Sequence, residues 1–339
     1  MRTIILRLIY PTTRLGLNNM QRHTNSATIR NLLIFSAVAV SAGWIGWELD
    51  HLAGSSHILG PGQLFWLVMP FVTAVLLRTF GGDGWKDAGL RTGLKANALW
   101  YAFAFFVFPV SASIVVVIGL LSGLTLVPYF STAMAGALLK AVIAGLPPSL
   151  LKNIFEEFAW RGYLAPRITS LGMNDLAGHA LVGVVWAAWH VPYYLFFLDR
   201  PSFVSYTSLS FTAFFPMMFA GVIAMSLVYG EIRLLTQSVW PLLLLHTVSN
   251  AVGSPLLLGG LIKIAPGAEV LVSPGPGSVL SIILYSGIGA GLYRFRNRKV
   301  SGECCASQEK SNQRAKRKPL EKGVVRNGVK KKRGKNSPL

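Results

Sequence analysis

The sequence is dominated by apolar runs long enough to cross a lipid bilayer. They lie at residues 32–49, 63–80, 97–121, 132–160, 177–198, 211–229, 238–258 and 278–295. A spanning helix needs roughly 17–25 apolar residues, because its backbone groups must bond to each other where no water is present. Only 13% of the residues are charged and the mean hydropathy is +0.50, whereas soluble domains contain about 25% charged residues. The sequence therefore predicts an all-α, polytopic membrane protein with about eight transmembrane helices.

Both ends of the chain are strongly basic. The first 31 residues contain five Arg and no acidic residue, which fits either a plain leader or an organellar transit peptide. From Arg294 onward there are 16 Lys and Arg residues and three Glu residues. From about residue 297 the apolar residues show no regular spacing. We therefore divide the chain into a basic leader at 1–31, an eight-helix membrane domain at 32–296 and a disordered basic tail at 297–339.

Basic residues fall in alternate connections between the early spans. The connections 81–96 and 161–176 contain Lys or Arg, whereas 50–62 and 122–131 contain none. Cytoplasmic loops carry the excess of basic residues, and an even number of spans places both termini on one side. We therefore expect both termini in the cytoplasm, where the tail would attract anionic lipid headgroups. The tail has no aromatic residue after Phe295, which disfavours nucleic acid as a partner because base stacking is absent.

Three of the predicted spans contain ionisable or amide side chains. The segments are "NIFEEFAWRGYL" with Glu156, Glu157 and Arg161, "VVWAAWHVPYYLFF" with His190, and "PLLLLHTVSNAVG" with His246 and Asn250. An ionisable group in a span costs about 2.5–3.5 kcal/mol on insertion scales and usually faces the bundle interior. Almost nothing comparable stands out in the other five spans, so we expect these groups to meet in one polar intramembrane cavity.

The spacing of these residues predicts some of their contacts. Glu157 and Arg161 are four residues apart in the favourable order for a helical ion pair, whereas Glu156 is rotated by about 100° and needs another partner. His246 and Asn250 share one helix face. Each group also fits a purely structural role, such as a packing histidine or hydrogen bonds between helices. Together they supply a carboxylate, two imidazoles and an amide, which is the set needed to activate water and stabilise an oxyanion.

These residues resemble the motifs of the CPBP family, the Abi or type II CAAX prenyl endopeptidases. Residues 156–161 match its Glu-Glu-x-x-x-Arg motif, and residues 246–250 match its His-x-x-x-Asn motif. His190 matches the Phe-x-x-x-His motif, although Trp186 stands where Phe is expected and keeps only the aromatic wall. The resemblance covers about residues 85–260, the protease-like core of the membrane domain.

The resemblance implies a membrane-embedded endopeptidase whose site consists of Glu156, Glu157, Arg161, His190, His246 and Asn250. Glu156 and His190 would activate the attacking water, and His246 and Asn250 would donate hydrogen bonds to the oxyanion. Glu157 and Arg161 would hold the helix and orient Glu156. The implied substrate is a peptide or protein, with a prenylated C terminus as one option.

Two alternatives stay open at the level of sequence. Glu156, His190 and His246 also form a set of three zinc ligands with a fourth position open to water, so the expected cofactor is either none or one zinc ion. A non-catalytic membrane protein, such as a transporter, an immunity protein or a scaffold, would also contain a buried Glu/His cluster.

Overall fold

The computed structural model describes residues 13–127, 131–258 and 261–317, and these are almost entirely helical. In chain order the helices are α1 Thr13–Leu52, α2 Pro61–Thr79, α3 Ala98–Leu121, α4 Thr132–Ala159, α5 Ala165–Thr169, α6 Asp175–Pro192, α7 Arg200–Tyr206, α8 Phe211–Thr236, α9 Trp240–Leu258, α10 Glu269–Val272 and α11 Val279–Arg317. Two short strands, β1 Thr125–Leu126 and β2 Lys263–Ile264, pair antiparallel. Two π-helical turns, Trp160–Leu164 and Tyr193–Phe197, directly follow α4 and α6.

The prediction of an all-α, multi-pass membrane protein is confirmed. Six helical segments in the described ranges are long and apolar enough to cross a membrane: Ser26–Leu52, Pro61–Thr79, Ala98–Leu121, Thr132–Thr169, Asp175–Phe197 and Phe211–Thr236. The two other predicted spans, 238–258 and 278–295, are helical as α9 and α11, but they are not among these six. The count of eight spans is therefore not confirmed.

Helix α11 extends further than the sequence suggested. The compact body of the chain ends at Arg294, and the unit that begins at Phe295 is helical as far as Arg317. The expectation of a disordered tail over 297–339 therefore differs from the structure in its first part. After Gly302 this part lacks Gly and Pro and is rich in Glu, Gln, Lys, Arg and Ala, which are mostly good helix formers. The remaining tail residues lie outside the described residues.

The leader and the basic connections also need adjustment. Helix α1 begins at Thr13, so the second part of the predicted leader is helical, and residues 1–12 lie outside the described residues. Arg161 and Arg167, which we counted in a connection, lie in the helical continuation of α4. The cytoplasmic location of both termini stays a prediction that rests on the remaining basic residues.

Packing of the helices brings the three motif segments together. Helix α9 packs against α4 and α3, and α6 packs against α8 and α1. Helix α6 also contacts the π turn Trp160–Leu164 at the end of α4. Helices α1 and α2 pack closely at Gly46 and Gly62, where a Cβ at Gly46 would lie 2.3 Å from the Gly62 carbonyl oxygen. Small residues at such crossings permit close approach in membranes.

Two buried arginines from other helices hold the π turn after α4. Arg78 of α2 donates to the Gly162 carbonyl oxygen, and Arg233 of α8 donates from Nε to the Arg161 carbonyl oxygen at 3.0 Å. Both arginines also donate to main-chain carbonyls of the loop between α2 and α3. The position of the π turn therefore depends on groups that are distant in sequence.

We expect the substitution Arg233→Met to lower the stability of the protein. The change leaves the Arg161 carbonyl and a loop carbonyl without this donor, and a buried unsatisfied group costs about 1–3 kcal/mol. Thermal unfolding in detergent should therefore shift down by several degrees. Arg91→Met is the matched control, because Arg91 is exposed. Equal melting temperatures for the two variants would show that Arg233 does not support the fold.

Candidate active site

The C-terminal end of α4 is where this helix becomes buried. No residue of 132–152 is buried, whereas Asn153, Glu156 and Glu157 are each at most 1% exposed. These three residues lie at positions i, i+3 and i+4, so they project from one side of the helix. The sequence therefore places an amide and two carboxylates together in the protein interior.

Glu157 joins two of the motif segments through one oxygen atom. Its Oε1 accepts a hydrogen bond from Arg161 Nη1 at 2.9 Å and another from His246 Nδ1 at 2.8 Å. The ion pair expected from the spacing is thus present, and both partners are buried. Because the acceptor is a carboxylate, Nδ1 of His246 carries the proton, and Nε2 faces away from this bond.

Arg161 lies between two aromatic rings. Its guanidinium carbon is 4.1 Å from the ring centroid of Trp186 and 4.1 Å from that of Tyr229. Cation–π attraction stabilises a cation that has been removed from water, and a planar guanidinium stacks well on aromatic rings. The two rings therefore keep a charged group beside Glu157 in the protein interior.

Glu156 finds its partners on the same helix and on α6. Lys152 Nζ lies 2.6 Å from Oε1, and Trp186 Nε1 donates to Oε2 at 3.1 Å. Glu156 itself is 1% exposed. Each of its two oxygens therefore accepts a hydrogen bond, one from an ammonium group and one from an indole.

His190 is oriented by its own helix. Its Nδ1 donates to the main-chain oxygen of Trp186 at 2.8 Å, because a carbonyl can only accept. In the neutral ring Nε2 then holds a free lone pair. The ring packs edge-on against Trp189 with centroids 4.8 Å apart and is partly exposed. His190 can therefore accept a hydrogen bond from a water molecule through Nε2.

The amides of Asn250 and Asn153 form a pair between α9 and α4. Asn250 Nδ2 donates to Asn153 Oδ1 at 3.0 Å. Asn153 Nδ2 is buried and has no hydrogen-bond partner among the described residues. A buried amide donor without a partner is rare, so the pair presents an N–H group that a ligand oxygen could accept.

Trp186 is in contact with almost every group of the site. Besides Glu156 and Arg161, its ring contacts those of His190 and His246, with centroid separations of 5.7 Å and 5.4 Å. The Phe expected at this position would have no N–H to donate. The exchange therefore adds a hydrogen bond to Glu156, whereas from the sequence we had expected it to preserve only an aromatic wall.

Sequence reasoning missed four residues of this site, namely Lys152, Asn153, Trp186 as a hydrogen-bond donor, and Tyr229. Lys152 and Asn153 are polar residues in a predicted span and stand at positions i−4 and i−3 from Glu156. Lys152 and Asn153 are thus an ionisable and an amide side chain within a span, as the motif residues are. Tyr229 gave no such signal, because tyrosine is common in apolar helices.

Buried ionisable groups are not confined to the three motif segments, and that expectation was wrong. His179 of α6 and Glu231 of α8 form a buried pair with 3.2 Å between Nε2 and Oε1. Arg78 and Arg233 are also buried in spans. Their partners are carboxylates and main-chain carbonyls on neighbouring segments, so these charges connect helices.

The set Glu156, His190 and His246 is the alternative zinc site that the sequence left open. Across the described ranges no group of three or more His, Cys, Asp or Glu residues is arranged to hold a metal ion. Nδ1 of His190 and Nδ1 of His246 each bond to an oxygen, which is usual for zinc-ligating histidines and leaves Nε2 available, whereas both oxygens of Glu156 accept hydrogen bonds from N–H donors. The obstacle to zinc at Glu156 is the ammonium of Lys152, which lies 2.6 Å from Oε1 and would repel a cation there.

The segment that contains the site is similar to a known protein family. Residues 137–252 match a protein-family model described as type II CAAX prenyl endopeptidase Rce1-like. A search of curated proteins found no match. The matched segment contains all three motifs and every site residue described above. Through this segment, about a third of its length, the chain is similar to the type II CAAX prenyl endopeptidase Rce1-like family, and its apolar helices make it a multi-pass membrane protein.

Proposed function

We propose that the protein is an intramembrane endopeptidase in which Glu156 and His190 activate the water that attacks a peptide bond. The observation that carries this proposal is the convergence of Glu156, His190 and His246 on the ring of Trp186. A carboxylate and two imidazoles at one buried indole provide the acid, base and hydrogen-bonding groups that hydrolysis needs.

In the proposed reaction Glu156 is the general base. It accepts a proton from water while the water oxygen bonds to the scissile carbonyl carbon, and His190 Nε2 orients the water by accepting its other hydrogen. The tetrahedral intermediate then loses its C–N bond. The proton held by Glu156 passes to the amine nitrogen, so one water is consumed and the site returns to its starting state.

The oxyanion of this intermediate would be stabilised by the α9 residues together with Asn153. His246 donates from Nε2 when its ring is in the imidazolium form, because Nδ1 is already bonded to Glu157. Asn153 and Asn250 share one internal hydrogen bond and retain further amide N–H groups. Loss of one oxyanion donor typically lowers kcat by a factor of about 100–1,000.

The match of residues 137–252 to the family model supports a class of substrate. We propose a membrane-associated peptide or protein, and the name of the matched family directs the first assay to prenylated C termini. Purified protein is to be tested against peptides of one sequence with and without a farnesyl group. Faster cleavage of the farnesylated peptide would support recognition of the prenyl group.

We expect Glu156→Gln to abolish peptide cleavage while the protein remains folded. Glutamine retains the shape and a hydrogen-bonding oxygen but cannot act as the base. Cleavage is measured by mass spectrometry in detergent, together with a thermal melt. The matched control is Glu48→Gln, because Glu48 is exposed on α1. Cleavage by Glu156→Gln at the control rate would remove Glu156 from the mechanism and favour a non-catalytic role for the cluster.

We expect Trp186→Phe to lower kcat about tenfold or more with a smaller effect on KM. The variant retains an aromatic ring but loses the N–H that holds Glu156 Oε2, and hydrogen bonds to charged groups are worth about 1.5–3 kcal/mol. Trp240→Phe is the control, since the Trp240 indole donates to the Leu90 carbonyl. Equal kcat values in the two variants would contradict a positioning role for Trp186.

We expect cleavage to persist after removal of metal ions. In the proposed reaction Glu156 and His190 activate the water directly. The protein is dialysed exhaustively against chelator, and its zinc content and activity are measured in the same sample. Activity that disappears with the zinc and returns when zinc is added would establish the metal-dependent alternative.

A further inference from the structure

Lys152 is the accessible member of the site. Its side chain is 37% exposed, whereas that of Glu156 is 1% exposed. The lysine lies within the membrane-spanning segment Thr132–Thr169, where ionisable residues are rare and tend to be functional. A long flexible side chain at this place can move, whereas the buried indole of Trp186 is fixed by its surroundings.

Stabilisation of the helix does not explain the lysine. Lys152 precedes Glu156 by four residues, and this order is less favourable for a helical ion pair than Glu before Lys. The ammonium is also bonded to the carboxylate that the proposed reaction needs as its base. The pair therefore neutralises the carboxylate that acts as the base in the proposed reaction.

The two oxygens of Glu156 are held in different ways. Oε2 bonds to the indole of Trp186, which is 2% exposed. Oε1 bonds to the ammonium of Lys152, whose side chain is 37% exposed. Of the two oxygens, Oε1 is therefore the one whose hydrogen-bond donor is accessible from outside the site.

We propose that Lys152 is a carboxylate-binding residue that recognises an anionic group of the substrate close to the scissile bond. Binding of that carboxylate draws the ammonium away from Glu156 and leaves Oε1 free to bond to water. The inference rests on the proposed function for the use of Glu156 as base, but the binding site itself exists independently of cleavage. The substrate class is then a peptide with a carboxylate near the cleaved bond, at its C terminus or on a side chain.

The test compares three peptides, of which the first two share one sequence and the third differs only in its last residue. One ends in a free carboxylate, one ends in an amide, and one ends in an amide with Asp as the last residue. Wild type should cleave the free acid with a kcat/KM about tenfold or more above that of the amide, because charge-assisted hydrogen bonds are strong. The Asp peptide distinguishes the sources, since it behaves like the acid only if a side-chain carboxylate is accepted.

The variants isolate the charge of Lys152. Lys152→Met should bring the acid-to-amide ratio close to one, and Lys152→Arg should keep a preference for the acid. Lys140→Met is the matched control, because Lys140 is an exposed lysine on the same helix, and it should behave like wild type. An unchanged ratio in Lys152→Met would overturn the proposal.

A binding measurement tests the carboxylate site at Lys152 separately from the proposed peptidase activity. Fluorescent acid and amide peptides are titrated against Glu156→Gln and against the double variant with Lys152→Met. The single variant should bind the acid about tenfold more tightly than the amide, and the double variant should bind the two equally. This result would stand even if wild type cleaved neither peptide, in which case only the peptidase proposal fails. Equal binding of both peptides by the single variant would overturn the carboxylate site.

Discussion

One carboxylate oxygen holds the site together. Glu157 Oε1 accepts hydrogen bonds from Arg161 and from His246, so it connects the end of α4 with the middle of α9. Breaking a buried ion pair costs about 3–5 kcal/mol because a charge is left uncompensated. Glu157 therefore fixes Arg161 and His246 relative to each other, although it takes no direct part in the proposed chemistry.

The partners of Glu157 are themselves held in place by further groups. The guanidinium of Arg161 is enclosed by the rings of Trp186 and Tyr229, and its main-chain oxygen is held by Arg233. Trp186 in turn carries the hydrogen bond that fixes Glu156. A polar network of this kind is stabilising only when its members are paired. Arg78 and Arg233 each bond to the π turn and to the loop between α2 and α3. This loop is therefore connected to the site.

The sequence allowed much of the fold to be predicted, because a membrane imposes its own rule on helix length and polarity. All eight predicted spans are helical, and the Glu157 to Arg161 pair followed from spacing alone. The second bond of Glu157, to His246, could not be predicted, since it depends on how α9 packs against α4. The indole bond to Glu156 was missed for a similar reason, because aromatic residues in spans are usually read as packing groups.

The π turn Trp160–Leu164 has a consequence for how this region can change. Its closing bond runs from the Ala165 N–H to the Trp160 carbonyl, five residues back, so the turn contains one residue more than an α-helical turn. Deleting one residue there would restore α-helical bonding and rotate the following segment by about 100°. Point substitutions cannot produce such a rotation. The rotation of α5 relative to the Glu-Glu-x-x-x-Arg motif therefore depends on the number of residues in the π turn. Insertions and deletions in this turn would disturb the site more than point substitutions would.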